Sequence, residues 1–268
     1  MGGGQLIPNF VKLLKILELD TSQWILLKKP TRFQNIVLPD ESYFSGRNNL
    51  SVMFSNEYLE TIDIIKSFAL KNYLPLSNKN FYIFYGRNSF GEERLANYFY
   101  SKGFAIVKPE KLSLEEQLNL FLNCTNFAST VGSCSHNVVF LKDFSNIHLI
   151  PRAIGTALNE RQFGINHIPF IKNLGYVDSA LSIFLDNLKG PFCYIVSENL
   201  RKYFGEKVKE KYTDEDFATF LAYVRHAKEK GLKENPKELE YLRNILPEFM
   251  ERLKTKKYLL EKFGITIQ

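Results

Sequence analysis

Cysteine is scarce in this sequence, long apolar runs are missing, and the common glycine-rich phosphate signatures do not occur. The three cysteines, Cys124, Cys134 and Cys193, leave an odd thiol in any disulfide scheme and have no metal-ligand spacing. That argues against a disulfide-stapled secreted domain and is met most simply by reduced core thiols in an intracellular protein. No stretch approaches the roughly 18 consecutive apolar residues of a membrane span. Residues 1–5 lack the basic start and apolar stretch of a secretory signal. The expected setting is therefore the cytoplasm. Neither G-x-x-x-x-G-K-[ST] nor G-x-G-x-x-G is present. His148, His167 and His226 are not spaced as a metal site, and Asp178 and Asp186 carry no mark of an acid/base pair. No metal and no resident cofactor are expected.

What is present suits a folded α/β protein. The 268 residues are 45% apolar and 24% charged, with 23 Phe and 14 Tyr, enough to bury a sizeable core and to exclude disorder over most of the length. The net charge of +6 suits an anionic ligand, a nucleic acid or a membrane surface and does not choose among them. The lysines of 207–211 and 254–257 are scattered rather than stacked, and those near 207 alternate with Glu, as on a solvated helix face. With no basic helix and no aromatic stacking motif, nucleic acid is not expected as a partner.

Residues 9–19 and 57–72 have helical periodicity, and the short apolar runs 24–27 and 35–38 read as buried strands. Residues 73–80, with Pro75, Ser77 and two asparagines, read as a linker. Beyond it, strand and helix alternate: strand 81–85, helix 92–102, strand 104–107, helix 113–123, strand 127–131, a Gly-Ser turn with a short helix, and strand 147–150. Ser113 and Glu116 predict a capping box on the second helix. Such alternation predicts a Rossmann-like parallel sheet covered on both faces, with 192–196 as one more strand. From Thr213 on, the chain reads as charged helices, capped by Thr213 and Asp216 and punctuated by Pro236 and Pro247.

Ligands of open parallel sheets bind at the carboxyl ends of the strands. In the first such loop, 86–91, Arg87 and Arg94 could face a diphosphate, with Asn88 and Asn97 beside them. Equally, the two arginines could pair with Glu92 and Glu93 on the surface. In the second, Gly132-Ser133-Cys134-Ser135-His136-Asn137 could offer backbone N–H groups, hydroxyls and polar side chains to an anion, or simply cap a helix. Glu116 and Gln117 open the capped helix, where Glu116 could cap alone or accept hydrogen bonds from a sugar or ribose.

The order of these residues carries a resemblance. Tyr85-Gly86-Arg87-Asn88, Arg94 and Asn97, Gly103-Phe104, Pro109-Glu110, Leu112-Ser113 with Glu116-Gln117, and Gly132-Ser133 with His136-Asn137 and Phe140 resemble glycosyltransferase family 61. The resemblance is densest over residues 81–151 and extends weakly to the Lys28-Lys29-Pro30-Thr31-Arg32-Phe33 passage. The Glu usual after the helix Asn is Tyr98 here, and Gly132-Ser133 stands for the Gly-Ala of eukaryotic members. The family's preceding histidine-bearing helix has no counterpart in this sequence, and an acceptor-side base belongs to that segment.

The resemblance implies a GT-B-like fold of two Rossmann-like domains, here expected as a partial N-terminal α/β domain (1–75), a donor-binding domain (76–200) and a helical extension (201–268). It implies transfer of a sugar, with inversion, from a nucleotide-sugar to a saccharide or lipid-linked acceptor in bacterial capsular or lipopolysaccharide synthesis. The donor would be held by Arg87, Asn88, Arg94, Asn97, Glu116, Gln117, Gly132, Ser133, Ser135, His136 and Asn137. The alternative is a catalytically silent sugar-nucleotide-binding module or a fragment of a larger transferase. The C-terminal helices are open to three roles: packing on the N-terminal half, an oligomer contact, or a peripheral contact at the inner face of the membrane.

Overall fold

The computed structural model describes residues 8–20, 22, 29, 32, 34, 43–45, 52–142, 145–152, 162, 165–168, 171–184 and 190–263. The expected strands at 24–27 and 35–38 lie outside the described residues.

The first two helices are where the periodicity places them. α1 is Pro8–Ile16 and α2 is Asn56–Lys71, which buries Ile62, Ile65 and Ala69 and is capped by the Ser55 hydroxyl accepting from the Tyr58 N–H at 3.2 Å. Between them β1 (Tyr43–Ser45) and β2 (Val52–Phe54) pair antiparallel. α2 packs on the helix Leu114–Asn123 (α4) through Ile65, Ala69, Leu114, Leu118 and Leu122.

The main sheet has five parallel strands: β3 (Asn80–Ile83), β5 (Ala105–Val107), β6 (Asn126–Thr130), β7 (Asn146–Ile150) and β8 (Asn173–Tyr176). Their order is β5-β3-β6-β7-β8. Successive side chains of a strand point to opposite faces, so each face gathers its own core. On one face Tyr82, Ala128 and Ile150 meet Leu95, Ala96 and Phe99 of helix α3 (Glu92–Ser101). On the other, Phe81, Ile83, Phe127, Ile147 and Leu149 meet Leu120 and Phe121 of helix α4 (Leu114–Asn123). The Ser113–Glu116 capping box forms as its sequence predicts. This is an α/β architecture with a sheet covered on both faces, consistent with a GT-B-like glycosyltransferase fold.

One expected strand belongs elsewhere. β9 (Phe192–Cys193) pairs in parallel with β4 (Ser89–Phe90), not with the main sheet. On its other side the Leu181 N–H donates to the Cys193 carbonyl at 2.8 Å and the Ile195 N–H to the Ser179 carbonyl at 2.9 Å. The place beside β7 is taken by β8, whose Asn-Leu-Gly-Tyr sequence carries no alternating apolar pattern and is partly solvent-exposed.

The C-terminal helices are α5 (Glu198–Tyr203), α6 (Asp214–Glu229), α7 (Pro236–Ile245), α8 (Pro247–Thr255) and α9 (Lys257–Phe263). Phe217 and Phe249 stack with ring centroids 4.9 Å apart, and with Leu221, Val224, Leu242 and Leu253 they cover Leu181, Phe184, Cys193 and Ile195. The helical end therefore shares one core with the small β4–β9 sheet. Tyr223 lies at its centre, its hydroxyl accepting from the Ile183 and Phe184 N–H groups, each at 2.7 Å. Among the described residues no helix is long and apolar enough to cross a membrane.

Candidate functional site

β3 is the first strand of the parallel sheet; the next strand, β5, lies on one side of it and the following one, β6, on the other. At such a reversal the two connecting loops leave in opposite directions and open a crevice at the carboxyl ends of the strands. Here the reversal sets residues 84–91, after β3, beside residues 131–137, after β6, and by that rule a crevice is expected between them. The turn after β5 and residues 151–152 after β7 flank it.

The first loop is closed around a buried carboxylate. Glu92, at 2% exposure, accepts from the Tyr85 N–H at 2.9 Å, the Gly86 N–H at 3.0 Å and the Ser89 hydroxyl at 2.7 Å. A carboxylate removed from water needs such donors, so the loop folds back over the start of α3. Gly91 opens that helix at φ 80, and a Cβ there would lie 2.1 Å from the Tyr194 carbonyl oxygen; only glycine lets β4 and β9 come so close.

The surface pairing of the arginines with Glu92 and Glu93 is therefore replaced by another arrangement. Arg94 turns away from the loop and binds Asp216 at 2.7 Å, Thr213 Oγ1 at 3.3 Å and Glu215 at 3.3 Å, all at the start of α6. Arg87 and Asn88 stand exposed at the tip. Asn97 is exposed about one turn beyond Arg94 on α3.

The second loop is held from inside. The Ser135 hydroxyl, fully buried, accepts from the Gly132 N–H at 2.9 Å and lies 2.7 Å from the Gly132 carbonyl oxygen, with the Gln162 side chain also against it. Asn137 donates from its side-chain amide to the Cys134 carbonyl at 3.1 Å. Ser135 and Asn137 thus shape the loop, while Ser133 is exposed at its tip and His136 is half-buried. Glycine at 132 leaves room for a side chain: a Cβ there would lie 1.9 Å from Arg152 Nη2 and 2.5 Å from its Cζ.

Glu116 and Gln117 are engaged at their own helix start. Glu116 accepts from the Ser113 N–H at 2.7 Å, and Gln117 donates to the carbonyls of Pro109 at 3.0 Å and Leu112 at 3.1 Å. Arg87 and Asn88 thus lie on the loop after β3, and Gly132 and Ser133 on the loop after β6, at the carboxyl ends of two adjacent strands. Arg94 is engaged in the ion pair with Asp216, and Asn97 is exposed on α3.

Two features were passed over in the sequence. Arg152 lies two residues beyond β7, after Pro151, and its guanidinium lies over the rings of Tyr85 at 5.1 Å and Phe192 at 4.7 Å. The rule that drew attention to the loops after β3 and β6 applies equally to the end of β7. Asp214-Glu215-Asp216 has an Asp-x-Asp spelling, but Asp216 accepts from the Thr213 N–H at 2.8 Å as a helix cap and binds Arg94. Among the described residues no three His, Cys, Asp or Glu side chains gather as a metal-binding group.

Cys134 reports the electrostatics of the crevice. Burial pushes its thiol up to about 11, Glu92 and Glu110 push the same way, and Arg152 and Arg87 oppose them. The charges of both arginines are therefore felt at one point on the second loop. Cys124 and Cys193 are core thiols, whereas Cys134 is half-buried.

Residues 26–147 match the family model described as Glycosyltransferase 61. The matched stretch contains both loops of the crevice, and the match supports a transferase enzyme with a glycosyltransferase role. No curated protein matches the chain.

Proposed function

We propose that the chain transfers a sugar from a nucleotide-sugar to a hydroxyl of a saccharide or lipid-linked acceptor, with inversion, in the synthesis of a bacterial cell-surface polysaccharide such as a capsule or lipopolysaccharide. The observation that carries this reading is the position of Arg87 at the switch point of a parallel sheet, inside the segment that matches glycosyltransferase 61. As the bond to the anomeric carbon breaks, the leaving diphosphate gathers negative charge. A guanidinium fixed beside it stabilises that charge more in the transition state than in the ground state. Asn88 and the exposed Ser133 supply polar contacts on the two sides of the crevice. The charge is met by side chains in this reading, and the nucleotide-sugar is a co-substrate rather than a resident cofactor.

Calorimetric titration with a panel of nucleoside diphosphates and sugar nucleotides tests the donor site, on the wild type and on Arg87→Ala. One nucleotide class should bind, and the variant should lose about tenfold or more in affinity, as expected for one charge-assisted contact. A well-folded wild type that binds none of them rules the reading out. Binding without any transfer to oligosaccharide acceptors or hydrolysis of the donor would instead make the chain a silent sugar-nucleotide module.

A further inference from the structure

Asp178 lies two residues beyond β8, at the same edge of the sheet as the loops after β3 and β6. The ladder continues past the strand ends: the Val131 N–H donates to the Ile150 carbonyl at 2.8 Å and the Val177 N–H to the Leu149 carbonyl at 2.9 Å. Residues 131, 150 and 177 therefore stand in one row, and strand spacing puts the backbone of Asp178 about 10 Å from the second loop. Asp178 lines a cavity of about 40 Å³ between residues 178–181 and 195–199, with Tyr212 and Leu246 also on its wall. That space admits a hydroxyl-bearing group and not a whole nucleotide. Most polar groups of the wall are already engaged. Ser197 donates its hydroxyl to the Asp178 carbonyl at 2.6 Å and lies 2.9 Å from the Ser179 hydroxyl, while Glu198 pairs with Lys202 and Lys211. The Asp178 carboxylate accepts from the Ala180 N–H, and among the described residues no cation pairs with it. Burial raises its carboxyl above the usual carboxylate value, with the Ala180 N–H opposing. A half-buried carboxylate without a cation is costly, and such groups in cavities are characteristic of sites that move protons.

We infer that Asp178 is the general base of the transfer, taking the proton of an acceptor hydroxyl seated in this cavity. The inference rests on the glycosyltransferase reading above. The acceptor oxygen bonds to the anomeric carbon as the bond from that carbon to the diphosphate oxygen breaks. The diphosphate leaves with the electron pair, and the acceptor proton passes to an Asp178 carboxylate oxygen. From the diphosphate, the anomeric carbon, the attacking oxygen and the base follow within a few bond and hydrogen-bond lengths. That order suits a carboxylate on the same sheet edge as the phosphate-binding loops but not on the loops themselves. A carboxyl raised by burial is also the better base near neutral pH. Asn199, exposed on the same wall, offers its amide to a second acceptor hydroxyl. Glu198 and Tyr212 are the other titratable groups lining the cavity, and Glu198 is held by its two lysines.

The test measures release of nucleoside diphosphate from a panel of nucleoside-diphosphate hexoses by the full chain, with water and oligosaccharides as acceptors, on the wild type, Asp178→Asn and Asp178→Glu. Donor affinity is titrated calorimetrically, and thermal unfolding checks that each variant is folded. Asp178→Asn keeps the shape of the side chain and should lower turnover about a hundredfold or more, with donor affinity within about threefold of the wild type. Asp178→Glu, its carboxylate displaced by one methylene, should be slower than the wild type and keep the decline in rate toward acid pH that the Asn variant lacks. It carries the test if Asp178→Asn does not fold. Turnover unchanged in a folded Asp178→Asn that binds donor normally overturns the inference and leaves the function standing. A wild type that binds a sugar nucleotide and releases no nucleoside diphosphate overturns it as well. Absence of sugar-nucleotide binding in the folded wild type removes the function and the inference together.

Discussion

Arg94 and Asp216, 122 residues apart, form an ion pair at 2.7 Å in which the carboxylate is 1% exposed and the guanidinium side chain 25%. The pair ties the helix that follows the first strand of the parallel sheet to the first turn of the C-terminal helices. It also engages the guanidinium of Arg94 with partners within the fold. Asp216 is a helix cap buried against the β4–β9 sheet and needs a cation.

Breaking that pair should cost stability and leave donor affinity alone. Arg94→Ala strands a buried carboxylate, and since the arginine is partly exposed the loss is set at about 2–3 kcal/mol, below the ~3–5 kcal/mol of a fully enclosed pair. Urea unfolding measures the first quantity and nucleotide titration the second. A variant of unchanged stability that no longer binds nucleotide would put Arg94 back at the donor.

Glu92→Gln should loosen the first loop. The amide keeps one acceptor oxygen where the carboxylate offers two to the Tyr85 N–H, Gly86 N–H and Ser89 hydroxyl. About 1–3 kcal/mol of stability should be lost, as for buried donors left without their charged acceptor. Nucleotide affinity should fall with it, because Arg87 and Asn88 sit on the same loop. Unfolding curves that superimpose on the wild type would show that the carboxylate does not hold the loop.

Acid should weaken the fold through His148. This imidazole is buried among Phe104, Tyr203 and Phe204, lies 2.9 Å from the Tyr203 hydroxyl, and is lowered from 6.5 to about 4 by desolvation. Between those two values the unfolded chain takes up a proton that the folded one refuses. The contribution is therefore complete above pH 6.5 and falls away as the pH drops toward 4. The loss should not exceed about 3 kcal/mol. Comparing the pH dependence of unfolding in the wild type and His148→Gln isolates it; equal slopes in both proteins across this window would refute the assignment.

Donor binding should survive removal of divalent metal. Arg87 is proposed to meet the diphosphate charge directly, so titration in excess EDTA should give the same affinity within about threefold, under half of one charge-assisted contact. Binding abolished by EDTA and restored by magnesium or manganese would assign that charge to an ion instead.

By itself the sequence determined the alternation of strands and helices from residue 80 to 150. Apolar spacing and turn residues are local properties, and so are the Ser113–Glu116 and Thr213–Asp216 capping boxes, which bond within one turn. The order of polar residues along the loops was legible too, and with it the glycosyltransferase likeness. Partners were not. Phe192–Cys193 looks like any buried strand, but whether it joins β8's sheet or Ser89–Phe90 depends on which backbone edge is vacant in three dimensions. Asn173–Tyr176 is a strand only because β7 offers it an edge, since its own side chains show no strand pattern. The direction of a long side chain was equally hidden. Arg94 follows a buried carboxylate 122 positions away, and Arg152 follows two aromatic faces and the empty volume over Gly132. Charge and burial act between groups brought together by folding, and so the tertiary structure alone decided what Arg94 and Arg152 pack against.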